Sequence, residues 1–223
     1  MRIIAAVLCS ALALSAVAAD DAKSPDFILA HADRATAADL FLASAAMLQG
    51  GRVQDAAFLF YAAQMRRRLD IAHFPPKESG GDSPDVALMA LSQQIGQAVN
   101  PAIMRQPKDL SAAIERVRAW TPITPKSYDP GWKFLRREND AAAQSAFEAN
   151  RKDFLDHFGP IATLLNRPDY FAAFKIVQDY NFSNFEEMRK PSRIREKDAA
   201  EKKMAAIEKD LGIEGLYYRR SSN

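Results

Sequence analysis

Three histidines are the natural starting point for any acid–base or metal chemistry: His31, His73 and His157. They lie in three separate segments. None has a second histidine or a cysteine at metal-ligand spacing, and neither a His-Glu-x-x-His nor a His-x-x-Glu-His pattern occurs. His31-Ala32-Asp33 and Asp156-His157 each bring a carboxylate near an imidazole in sequence, but close neighbours on a helix do not face each other. The three are expected as exposed or half-buried side chains, and no metal or cofactor is expected.

Nucleophilic chemistry has one place to look. Ser79-Gly80-Gly81-Asp82-Ser83-Pro84 contains a Gly-Asp-Ser step of the kind that surrounds some hydrolase nucleophiles. Those nucleophiles follow a strand, and no Gly-x-Ser-x-Gly elbow is present. Ser83 ahead of Pro84 fits a helix cap better. Glycan hydrolysis would need two carboxylates across a cleft, one with a raised pKa. Glu138 with Asp140 and the pair Glu186-Glu187 are the candidates, yet each lies where a helix begins, and acidic residues there complement the helix dipole.

Basic residues cluster at Arg66-Arg67-Arg68, Arg136-Arg137 and Arg219-Arg220. The first cluster falls in the last turn of a helix, where cations are favoured, and is expected to be solvated. The tail Leu216-Tyr217-Tyr218-Arg219-Arg220 has a composition enriched in interfaces. Residues 121–139 hold Pro122, Pro125 and Pro130 together with Tyr128, Trp132 and Phe134. Proline blocks helix continuation, and a connection this long is either functional or packed by its own side chains. Tyr128, Trp132, Phe134, Arg136 and Arg137 are accordingly the residues expected to touch a partner, although the aromatics fit a core equally well by type.

The elements that must position these groups begin after an export signal. Arg2 precedes an apolar run from Ile3 to Leu14, and small residues follow to Ala19. This three-part pattern reads as a cleavable signal over residues 1–19, cut near Ala18-Ala19 or Ala19-Asp20. The run is too short for a membrane-spanning helix. Cys9, the one cysteine, would leave with the signal, so disulfide and thiol chemistry are not expected. The whole chain carries 30 Lys+Arg against 28 Asp+Glu. Without Arg2 the balance is 29 against 28, which argues against nucleic acid as a partner.

Residues 20–223 read as one all-α domain. Thr36 caps a helix over 37–48 that ends at Gly50-Gly51, and a second helix runs over about 53–71 with Ala56, Phe60, Ala63 and Met65 as its buried stripe. Further helices are expected from Ser83 to about Ala98, over 109–120, over 140–158 with Gly159-Pro160 as its break, from Arg167-Pro168, and over 192–211 with Gly212 as its end. Asn100-Pro101 reads as a break in the chain, and Ser183 to Glu186 as a capping box. No run alternates as a strand does. The expected fold is helical hairpins packed as an irregular multi-helix array or bundle.

The first hairpin, over about 36–70, resembles a tetratricopeptide unit. Leu40, Ala43, Ser44, Met47, Gly51, Ala56, Phe60 and Ala63 follow that family's spacing of small and large apolar residues. The family's proline past the second helix is replaced by the neighbourhood of Arg68. The resemblance covers one degenerate unit and implies a scaffold for protein interaction. In size, export signal and composition the chain is also similar to immunity proteins that guard bacteria against toxins delivered to the periplasm. The expected function is therefore a periplasmic or secreted protein that binds another protein. An immunity-type inhibitor, an envelope hydrolase acting on peptidoglycan and a small-ligand carrier are the alternatives.

Overall fold

The computed structural model describes residues 24–78 and 80–213. The stretch expected as an export signal, with Cys9, and Ser79 and the tail holding Leu216 to Arg220 lie outside the described residues. Nine α-helices make up the described chain: α1 Pro25–Ala30, α2 Ala37–Gln49, α3 Val53–His73, α4 Pro84–Met104, α5 Pro107–Ala119, α6 Asp140–Leu165, α7 Pro168–Asn181, α8 Phe185–Met188 and α9 Pro191–Asp210. No sheet forms among the described residues. The fold is all-α, an irregular array of packed helices.

The α2–α3 hairpin is built by local chemistry. Thr36 Oγ1 accepts from the Asp39 backbone N–H at 3.1 Å while Asp39 accepts from the Thr36 N–H, a complete capping box. Gly51 takes φ +77°, a conformation that only glycine adopts without strain. That residue lets the Arg52 N–H return to the Met47 carbonyl and close the helix end. The two helices meet across Ala43, Ala56 and Ala57, and the buried Ser44 hydroxyl donates to the Ala56 carbonyl at 2.7 Å.

Helix α3 is the axis of the molecule. It packs against α2, α4, α5 and α6, while α7 packs on α6 and α9 on α7. Every residue from Ala56 to Ala63 is buried. The stripe expected from Ala56, Phe60, Ala63 and Met65 is buried, and over 56–63 burial extends all round, because neighbours enclose the helix on every side. The expected solvation of Arg66 to Arg68 is corrected for the same reason: Arg66 is 0% exposed, and Arg67 pairs with Asp85 at the start of α4. Only Arg68 is exposed, and it donates to Asn150 on α6 at 2.9 Å.

Two prolines expected as breaks lie inside helices. Pro101 sits in the last turn of α4, and Pro160 lies within α6. A proline removes one intrahelical hydrogen bond and costs roughly 3 kcal/mol in a helix interior. Buried residues on both sides hold the helices through them: Val99 and Ile103 in α4, Phe158 and Ala162 in α6. A third correction concerns α8. Its cap is Asn184, whose side chain accepts from the Glu187 N–H at 2.9 Å, whereas Ser183 donates to the Tyr180 carbonyl.

Candidate functional site

Two concave regions carry the polar chemistry. The first is built by residues 121–139, which lie along the C-terminal half of α3. Four backbone hydrogen bonds fasten them. Ile123 N–H donates to Asp33, Lys77 N–H to Lys133, Leu135 N–H to Pro75 and Glu138 N–H to His73. Trp132 adds a side-chain bond from Nε1 to the Phe74 carbonyl at 2.8 Å, and Phe134 sets its ring edge against Phe74 with centroids 5.1 Å apart.

Beneath this segment lies a buried ionic cluster. Arg66 Nε is 2.9 Å from Asp70 Oδ1 with neither side chain exposed. The Tyr128 hydroxyl donates to Asp70 Oδ2 at 2.6 Å and accepts from Arg66 Nε at 3.0 Å. Arg66 also donates to the Ile123 carbonyl at 3.1 Å and stacks over the Tyr128 ring at 4.0 Å. Burial pushes the Asp70 carboxyl up to about 6 in spite of the adjacent guanidinium and the Tyr128 bond. Burial and the neighbouring Asp70 likewise raise the Tyr128 phenol.

The rim of this region holds a hollow of about 370 Å³ lined by His73, Thr124, Asp140 and Gln144, with Arg137 bonded to Asp140 beside it. His73 Nε2 lies 2.6 Å from Asp140 Oδ1 and 3.2 Å from Arg137 Nε. One ring nitrogen cannot donate and accept along these two directions at once, and the short carboxylate contact requires the proton on Nε2. Arg137 therefore serves Asp140 at 3.3 Å and the Thr124 carbonyl at 3.1 Å. The His73 bond holds the Asp140 carboxyl below its ordinary range, with Arg137 adding to it. A carboxyl kept ionised in this way cannot act as a general acid near neutral pH. His73 Nδ1 is buried without a hydrogen-bond partner among the described residues.

The five residues singled out for partner contact divide by orientation. Tyr128, Trp132, Phe134 and Arg137 are half-buried and engaged with α3, Phe74 and Asp140. Arg136 projects with its side chain 76% exposed and pairs with Glu138 at 2.7 Å. Beside it Leu135 is 68% exposed. Glu187 is drawn to Lys190, and Ser83 caps α4 by accepting from the Val86 N–H. His31 bonds to the Phe27 carbonyl and stacks on the Phe27 ring. Among the described residues no group of three or more His, Cys, Asp or Glu side chains is placed to hold a metal. No described helix is long and apolar enough to cross a membrane.

The second concave region is a groove of about 650 Å³ between α3 and α4. Phe60 forms its floor, and Gln64, Ser92, Gln93, Gln97 and Asn100 line it. Phe182, in the turn between α7 and α8, also lines it and is 60% exposed; Phe185, the first residue of α8, is 66% exposed. Sequence reading missed this groove because amides on an amphipathic helix look like any solvated face. The one local signal is Gly96 among them, a helix interior position where glycine is costly.

No family model matches the chain, and no curated protein and no solved structure matches it.

Proposed function

We propose that this protein is exported and works in the periplasm or outside the cell by binding another protein, without catalysis of its own. The observation that supports this reading is the pair Phe182 and Phe185, two exposed aromatic residues, one in the turn after α7 and the other at the start of α8. Aromatic side chains lose little conformational entropy on contact and dominate the energetic centres of protein interfaces. The resemblance of the α2–α3 hairpin to a tetratricopeptide unit points the same way. Leu135 and Arg136 offer a second, smaller patch on the aromatic segment.

Crosslinking of the tagged protein in its own envelope fraction, followed by mass spectrometry, tests the proposal. One dominant protein captured in about equal amount, and lost on Phe182→Ser with Phe185→Ser, is the expected result. A toxin as that protein would make the chain an immunity-type inhibitor. Capture of nothing, or capture unchanged by the double substitution, would overturn the reading.

A further inference from the structure

We infer that the groove between α3 and α4 binds a short, extended, uncharged peptide segment of the partner, held through its backbone; this rests on the protein-binding function proposed above. The groove contains no charged side chain. A charged group entering it would meet no counter-charge among the lining residues. What the groove offers instead is a set of neutral donors and acceptors with their free ends directed by contacts already made.

Asn100 Oδ1 accepts from the Tyr61 hydroxyl at 3.2 Å, which leaves its N–H₂ as a donor. Gln64 Nε2 donates to Ser92 Oγ at 3.3 Å, which leaves Gln64 Oε1 as an acceptor and the Ser92 hydroxyl as a donor. Gln93 and Gln97, both exposed, supply complete amides. A side-chain amide carries the same donor and acceptor as a peptide unit and can pair with one. Spacing adds register. Residues four apart on a helix rise about 6 Å, and every second residue of an extended chain repeats at about 6.6 Å. Gln93 and Gln97 can therefore meet alternate peptide units of one strand.

Pro101 adds an independent acceptor. It has no N–H, so the Gln97 carbonyl lacks the helical donor four residues on. Both residues line the groove. Gly96 shapes the floor: a Cβ there would fall 2.8 Å from Phe60 Cζ, so the glycine lets the Phe60 ring lie directly against α4. The stretch from Gln93 to Asn100 rises about 10 Å, room for about three extended residues. Phe182, exposed among the lining residues, then offers its ring to one apolar or aromatic side chain of the bound segment.

The test is an array of uncharged octapeptides, each with one Phe, Tyr or Leu, probed with the full-length protein after export. Selected peptides are then measured by fluorescence anisotropy. Binding by a subset is expected, weakened about tenfold by Gln93→Ala with Gln97→Ala, since two neutral hydrogen bonds are lost. Replacing the peptide's central residue by Lys or Glu is expected to abolish it. Both glutamines are exposed, so the variant is expected to keep the wild-type circular dichroism and Tm. No peptide retained, affinity unchanged in the variant, or stronger binding of tetra-N-acetylchitotetraose than of any peptide would overturn the inference. A partner captured through Phe182 and Phe185 while the glutamine variant is unaffected would overturn the groove alone. Failure of capture altogether would overturn the binding function.

Discussion

Arg66 and Asp70 stand one turn apart in the C-terminal half of α3, with both side chains wholly out of water and 2.9 Å between Nε and Oδ1. Tyr128 and the Ile123 carbonyl, which arrive from more than fifty residues later in the chain, add hydrogen bonds to the pair. Helix α3 alone would leave the two buried charges without these contacts. The aromatic segment supplies them, so its docking and the tolerance of charge in the core are linked.

Removing one member should expose that dependence. Arg66→Met leaves Asp70 buried without its counter-ion and is expected to cost about 3–5 kcal/mol in urea unfolding. Arg66→Met combined with Asp70→Leu removes both charges and should recover most of that loss. A double variant no more stable than the single one would show that the ion pair is not the source of the cost.

The pH dependence has a defined sign. Burial places the folded Asp70 pKa at about 6, above the ordinary carboxylate value. A group raised on folding favours the folded state most below its unfolded pKa, and that contribution is lost as pH rises through the folded one. Between pH 4 and 7 wild-type stability should therefore carry a component that falls with rising pH, and Asp70→Asn should remove it. Asp55, Asp140, Asp169 and Asp179 have lowered pKa values, so their contributions fade only on further acidification. Equal slopes for wild type and Asp70→Asn over that window would contradict the assignment.

The hairpin turn separates two adjacent glycines. Gly51 has φ +77°, whereas Gly50 has an ordinary φ of −76°. Gly51→Ala is expected to destabilise by about 1–2 kcal/mol from left-handed strain. Gly50→Ala should change stability little, because its Cβ would meet nothing nearer than 3.5 Å. Chemical denaturation of the two variants side by side decides it.

Ser44 tests the closeness of α2 and α3. Ser44→Ala loses one buried hydrogen bond to the Ala56 carbonyl and should cost about 1–3 kcal/mol. Ser44→Leu must additionally force the helices apart, so a thermal melt should place it well below Ser44→Ala. The reverse order would mean that the interface has slack.

Local signals made much of this fold legible. The Thr36 cap, the Gly50-Gly51 turn, Ser83 ahead of Pro84 and the start at Pro168 all act within a few residues, and the helices begin or end there. Pro101 and Pro160 were misleading because a proline's local effect is to stop a helix, while packing on both sides carried the helix through. Arg66 could not be placed from its neighbours in sequence. Its burial depends on Tyr128 and Ile123, and nothing near Arg66 encodes their approach. The groove amides were equally silent: Gln93 and Gln97 acquire meaning only once Phe60, Gly96 and Phe182 surround them.

The enclosure of α3 also sets an order of events. It is made early, by residue 73, yet two of its walls are α5 and α6, and the second of these ends at Leu165. A chain that emerges from its N-terminus has no means of drying its central helix until three-quarters of its length is out. Contacts that distant in sequence close slowly. The same arrangement that makes α3 the core of the finished molecule leaves any chain that stops short of Leu165 with that core still open to water.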